Sequence, residues 1–290
     1  MHKFLKSVGF ASVNQKTQLQ QLLKDVEKNY DRKVVVEQDG KLLAQISRDY
    51  AFDCGISVFG EYDARDHFVP EYYFPYFQGS QISSQEDLTI ERHAAMDSYA
   101  GACDDYRVGI TLIFYLQNVA DYLKLKQKSR LLDVGASISL SGLADHGKIL
   151  LPVRKDRQQK KYGERQTQHR NSLLAAARNG DEDAMESLTM EDIDTYTMVS
   201  SRIRTEDLYS VVESYFMPSG MECDMYNLMG EITSCYRSTN SLTGEHVYRM
   251  SITTNDLPVD VCINEKDLLG TPAVGCRFKG VVWLQGLLSV

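Results

Sequence analysis

Between Arg107 and Asn118 the chain reads RVGITLIFYLQN, and from Val108 to Leu116 only Gly109 and Thr111 break an apolar run. Ile, Val, Phe, Tyr and Thr all favour a pleated, packed strand. The nine residues of this run fall well short of the ~20 that a helix needs to cross a bilayer. Length, β-branched content and the preceding Asp104-Asp105 turn signal predict a strand buried on both faces. Asn118 is placed to cap a helix over Val119–Lys126, with Asp121 in its first turn, facing the exposed amides. The N-terminal half is expected to build outward from this strand.

A chain of 290 residues has room for one large domain or two modest ones. Its apolar and charged fractions, 43% and 25%, are ordinary for a soluble globular protein, and no low-complexity tract points to disorder. The net charge of −8 works against indiscriminate contact with nucleic acid or acidic lipid. Lys6 falls where a signal peptide needs its apolar core, so no secretion signal is expected. Cys54, Cys103, Cys223, Cys235, Cys262 and Cys276 form no Cys-x-x-Cys pair and read as reduced thiols of a cytoplasmic protein.

Apolar spacing predicts a helix over Thr17–Tyr30. Strands over Lys33–Gln38 and Lys41–Arg48 flank Asp39-Gly40, a pair suited to a tight hairpin turn, and Cys54–Asp63 reads as a third strand. Phe68–Phe77 (FVPEYYFPYF) is the densest aromatic run; Pro70 and Pro75 demote it to an edge strand or ordered loop. Strands over Leu88–Met96, Tyr99–Cys103, Arg130–Ser141 and Lys148–Val153 complete a mostly antiparallel α+β domain over residues 1–153.

Residues 154–217 read as a helical connector. Arg154–Arg178 carries eight basic residues and two acids, whereas Asp181–Asp194 carries seven acids and no base. Two helices are expected to break at Asn179-Gly180, with Asp181 capping the second, Thr189 and Asp192 boxing a third, and Thr205–Phe216 forming a fourth. Residues 218–290 alternate again: Tyr248, Met250 and Ile252, then Leu257, Val259, Val261 and Ile263, across a turn at Asn255-Asp256. A long first strand, a hairpin, a short turn over Glu265–Gly270 and glycine-interrupted closing strands suggest a small barrel of the oligonucleotide/oligosaccharide-binding (OB) type.

The stretches VGITLIFYLQN (108–118), AARNGDEDAMESLTMEDIDTY (176–196), EDLYSVVESYFMPSG (206–220) and DVCINEKDLLG with GCRFKGVVWLQG (260–286) resemble an uncharacterised family of clostridial proteins, a domain of unknown function. The resemblance runs nearly end to end from MHKFLKSVGF and implies a cytoplasmic bacterial protein. It carries no catalytic residues with it.

Motifs with chemical content are few. Gly142–Lys148 (GLADHGK) has phosphate-loop spacing, but Ile149 replaces the expected hydroxyl residue and a strand, not a helix, follows; a β-turn is the better reading. Leu131–Ser137 (LLDVGAS) likewise lacks the glycines and the helix of a nucleotide site. Neither G-x-S-x-G nor H-E-x-x-H occurs, no cofactor motif is present, and acids beside Cys103 should raise its thiol pKa.

The favoured reading is a non-enzymatic binding or scaffold protein with a protein partner or a second copy, no membrane and no cofactor. Tyr72, Tyr73, Tyr76 and Phe77 would form its contact surface. One alternative is a metal-assisted or acid/base hydrolase using Asp63, Asp66 and His67, in the richest ionisable cluster. Another is single-stranded nucleic-acid binding by Tyr236, Tyr248 and Trp283. Against it, residues 218–290 hold eight acids and five bases.

Overall fold

The computed structural model of the protein describes residues 1–92, 98–127, 136–153, 157–221 and 223–289, and the side chains of 157–164 and 167 are outside that description. The fold is α+β, with a four-stranded antiparallel sheet and a larger mixed sheet. In the smaller sheet, β1 (Arg32–Gln38), β2 (Lys41–Ala51), β3 (Cys54–Tyr62) and β4 (Phe68–Phe77) pair in sequence order. Asp39 and Gly40 both take positive φ, 50° and 74°, so the first hairpin closes as its sequence predicts. The aromatic strand β4 lies at the sheet's edge, the position that tolerates prolines because one side of the strand has no ladder to supply. Helix α1 (Lys16–Lys28) packs Leu22 and Val26 onto this sheet.

The larger sheet begins with β5 (Leu88–Arg92), β6 (Tyr99–Asp105) and β7 (Ile110–Leu116). Leu112, Phe114 and Leu116 of β7 are fully buried, whereas Ile113 and Tyr115 on its other face are half-buried. The strand is therefore fully covered on one face only. Helix α2 (Val119–Gln127) follows, and the side chain of Asn118, expected as its cap, bonds to Leu288. Asn118 Nδ2 donates to the Leu288 carbonyl at 2.8 Å and its Oδ1 accepts from the Leu288 amide at 3.0 Å. An amide side chain offers the same donor and acceptor as a peptide group, so Asn118 extends the ladder beyond β7. Gln45 Oε1 takes the Ala120 amide instead, at 3.2 Å.

Strand β8 (Ser137–Leu150) runs unbroken through Gly142–Lys148, where a turn was expected. The glycines serve packing, not turning. A Cβ on Gly142 would meet Val282 at 2.8 Å, and one on Gly147 would meet the Phe278 ring at 2.4 Å. Of LLDVGAS, residues 131–135 lie outside the described residues, as do 93–97 of the strand expected over Leu88–Met96.

Helices α3 (Arg157–Arg178) and α4 (Glu182–Arg202) form a hairpin, with Asp181 capping α4 through the Ala184 amide. The expected third helix is part of α4: Thr189 Oγ1 donates to the Met185 carbonyl one turn back, a bond compatible with an unbroken helix. Thr205–Phe216 supplies only a short α5 (Leu208–Val211), after which β9 (Tyr215–Pro218) pairs with the next long strand. Adjacent valines and aromatics favour that ladder over an extended helix.

The remaining strands are β10 (Met225–Thr239), β11 (His246–Thr254), β12 (Leu257–Asn264), the two-residue β13 (Leu268–Leu269) and β14 (Arg277–Ser289). The β11–β12 turn falls at Asn255-Asp256, both with positive φ, as read from the sequence. Pairings run β8–β12, β12–β11, β11–β10, β10–β14 and β14 back to β8, while β14 also joins β7. Residues 218–290 thus supply four strands of this ring, and β8 supplies the fifth. Alternation splits their side chains between two cores. Val259, Val261 and Ile263 face one with Phe278 and Val282, whereas Cys262 and Trp283 share the other with Ile46, Ile56 and Phe74 of the smaller sheet.

Candidate functional site

At one margin of the seam between the sheets lies a cleft of about 590 Å³. Four elements build it. A 3-10 turn (Lys3–Val8), capped by His2, brings Phe4; β4 brings Tyr72, Tyr73 and Phe74; β7 brings Tyr115; β14 brings Trp283. Together these rings form an aromatic wall. Trp283 packs against His2 at 4.6 Å, Tyr115 at 5.0 Å and Phe4 at 5.5 Å between ring centroids. Phe74 meets Tyr115 edge-on at 4.9 Å, and Tyr72 stacks on Phe59 at 5.1 Å.

Polar groups fix the rings in place. Trp283 Nε1 donates to Asp224 Oδ2 at 2.6 Å, and the His2 amide donates to the Tyr73 hydroxyl at 3.0 Å. Burial, helped by the terminal ammonium and Lys3, pushes the His2 imidazole down to about 4, so it is neutral at pH 7. Burial also raises the Tyr115 phenol, which stays protonated. The Lys3 ammonium lies over the Phe4 ring at 4.8 Å and 3.7 Å from Asp145. Glu71 and Asp224 complete the lining.

The sequence-derived candidates divide among several places. Tyr72 and Tyr73 line the cleft; Tyr76 and Phe77, expected beside them on a contact surface, are buried. Tyr76 donates to Asp49 Oδ1 at 2.6 Å, and the Phe77 carbonyl receives Gln117 Nε2 at 2.8 Å. Proline-free alternation would have turned only every second ring inward. The β3–β4 register instead shifts between Phe59 and Gly60, and the end of β4 is covered on both faces. Trp283 joins the cleft, Tyr236 is exposed at another, and the Tyr248 hydroxyl donates to Glu265 Oε1 at 3.2 Å. These three do not share one surface.

Asp63, Asp66 and His67 form the β3–β4 turn. Asp63 Oδ1 accepts the backbone amides of Arg65 and His67, both at 2.8 Å, and Asp66 adopts the left-handed region at φ 57°. The His67 and Arg65 amides hold the Asp63 carboxyl below the usual range. His67 Nδ1 stands 3.5 Å from Asp63 Oδ2 on an exposed tip. Asp63 is thus an internal cap of the turn. Among the described residues, no three His, Cys, Asp or Glu side chains gather as metal ligands. Cys103 is buried, and burial together with Asp105 and Asp104 raises its thiol, as its sequence neighbours predict.

Phe4, Phe74, Tyr115 and Asp224 complete the cleft without any local sequence signal that joins them. Only the density of rings around Tyr72 pointed to this region.

Fold and cleft together define an α+β protein with an aromatic cleft at the seam of two sheets. The chain belongs to DUF3881, a domain of unknown function described from an E. rectale gene, which it matches over residues 5–286. This is the uncharacterised clostridial family that the sequence resembles. No curated protein and no solved structure matches the chain. Among the described residues, no helix is long and apolar enough to cross a membrane.

Proposed function

We propose that the protein is a non-catalytic binding protein of the bacterial cytoplasm whose aromatic cleft receives a ring-bearing group. The observation that carries this reading is the convergence of Trp283, Tyr115, Phe74, Tyr72 and Tyr73 on one cleft of about 590 Å³. Apolar walls with a few placed polar groups are what ligand sites are made of. Lys3 lines the cleft along with Glu71 and Asp224, so its walls carry both signs and the aromatic surface is what selects the ligand. We also read the ring of β8, β12, β11, β10 and β14 as an OB-like barrel that supplies one wall of the site.

Trp283 is the single tryptophan of the chain, so its fluorescence reports on the cleft alone. Titration with benzylamine, with benzyl alcohol and with benzoate should each shift or quench that signal saturably. Tyr73→Ala removes a half-buried wall residue and should weaken the response about tenfold, given the ~0.5–1.5 kcal/mol of an aromatic contact beyond its buried area. An emission spectrum unmoved by all three probes, or moved equally in the variant, would overturn the reading.

A further inference from the structure

A second site lies away from the aromatic cleft, on the ladder between β8 and β14. Lys148 and Lys279 are directly opposite one another there. Like charges in that position repel, and a strand pair selected for stability alone avoids them. Arg277, two residues before Lys279 on the same face of β14, adds a third cation, bonded among the described residues to the carbonyls of Leu151 at 3.2 Å and Val212 at 3.1 Å. None of the three pairs with a carboxylate among the described residues. In a chain of net charge −8, three such neighbours call for a reason.

The short helix α5 sets Tyr209 over them. Its ring lies 4.5 Å from Lys279 Nζ and 5.1 Å from Lys148 Nζ, and Tyr215 stands 5.9 Å from Lys279 Nζ. Lys279 Nζ donates to the Tyr209 hydroxyl oxygen at 2.6 Å, so that hydroxyl keeps its own proton as a donor. The nearby Asp207 carboxylate is turned to its own helix, accepting the Tyr209 amide at 3.0 Å. Donation from Lys279 and the charge of both lysines hold the Tyr209 phenol below its ordinary value, as a positive local potential requires. The side chains of Lys148, Lys279, Tyr209 and Tyr215 are each partly exposed, so a ligand can reach them from solvent.

We propose that Lys148, Lys279 and the Tyr209 hydroxyl form a receptor for a phosphate group. Two ammonium ions match the charge of close to −2 that a phosphate monoester carries at pH 7, and ammonium ions bind phosphate as point charges. A carboxylate would leave one lysine uncompensated. The site owes nothing to phosphate-loop geometry: Gly142–Lys148 is strand, and its amides belong to ladders rather than to an anion cradle.

Calorimetric titration of the full chain with inorganic phosphate and with phenyl phosphate, against acetate and chloride at matched ionic strength, tests this. Both phosphates should bind saturably and raise the melting temperature above the chloride control, and acetate should not. If only phenyl phosphate binds, the site reads an ester; equal binding of both assigns the phosphate group alone. Lys148→Gln and Lys279→Gln should each weaken binding about tenfold or more, as expected for a lost charge-assisted contact. Lys148→Arg should retain it. Without phosphate, both Gln variants should melt no lower than the parent, because each removes a repulsion. Phosphate indistinguishable from chloride, Gln variants that bind like the parent, or Gln variants that melt well below it would each overturn the proposal.

Discussion

Asp105 is 1% exposed and receives Arg107 twice through its side chain, Nε at 2.8 Å and Nη2 at 2.5 Å, and once through its amide at 3.0 Å. Arg107 then ties the loop to the Ser83 and Asp256 carbonyls, at 2.6 and 3.0 Å. Burial alone would raise the Asp105 carboxyl; hydrogen bonds from Arg107 and Ser84 hold it below the ordinary value. Asp105→Ala strands a half-buried guanidinium and should cost about 3–5 kcal/mol in urea unfolding at pH 7. Because the folded pKa is depressed, this contribution is present above the unfolded value, ~3.9, and is lost as pH falls through the folded one. The gap between parent and variant should therefore narrow on acidification below about pH 4; a constant gap would mean the charge is not what matters. A second residue-scale effect is steric. Gly147→Ala would press a methyl into the Phe278 ring, which also covers Gly280 across the ladder, and should cost about 1–3 kcal/mol in the same assay.

Strand β7 shows which elements the sequence made legible. Its β-branched and aromatic apolar run identified it, as the Asp39-Gly40 and Asn255-Asp256 turns identified their hairpins, because these signals are local and demand particular backbone geometry. β8 was not legible as one strand. Its glycines look like turn residues until Phe278 and Val282, more than a hundred positions on, are seen to fill the space above them. The Thr205–Phe216 segment has a helical pattern, yet β10 claims its end as a partner strand. The α3–α4 hairpin is the other extreme, predicted by local pattern and little changed by the rest of the molecule. Of α4, only Ala184 and Leu188 are buried, and Arg178 holds the hairpin to Glu86 at 2.9 Å and Asp87 at 2.5 Å. Exposed ion pairs of this kind contribute ~0–1 kcal/mol each. Amide exchange in α4 should accordingly be about a hundredfold faster than in β8 and β14. Equal protection would show that something unseen covers Met190, Ile193 and Tyr196.

The two sheets meet through a buried relay of glutamines that belongs to neither alone. Gln45 of the small sheet donates to Ser57 Oγ at 3.0 Å and to the Gln117 carbonyl at 2.5 Å. Gln117 Nε2 donates to Gln285 Oε1 and to the Phe77 carbonyl, both at 2.8 Å, and Gln285 Nε2 returns to the Pro75 carbonyl at 2.8 Å. The same strands that end in this relay, β4, β7 and β14, hold Phe74, Tyr115 and Trp283 in the cleft. No residue of the relay stood out in the sequence, because an isolated glutamine has no pattern; only topology gives it partners. A sheet-to-sheet seam built this way should couple the cleft to the whole fold. Gln285→Leu takes an acceptor from the Phe77 amide, 3.3 Å from Gln285 Oε1, and a donor from the Pro75 carbonyl, while Gln117 Nε2 keeps the Phe77 carbonyl and Ser141 Oγ. Each buried group stranded should cost about 1–3 kcal/mol. Trp283 emission, reading the seam, and far-ultraviolet dichroism, reading both sheets, should give one coincident unfolding transition in the parent. In Gln285→Leu the Trp283 transition should move to lower denaturant and run ahead of the dichroism. Coincident curves in the variant would mean that the apolar core between Ile46, Ile56 and Trp283 locks the sheets without help from the glutamines.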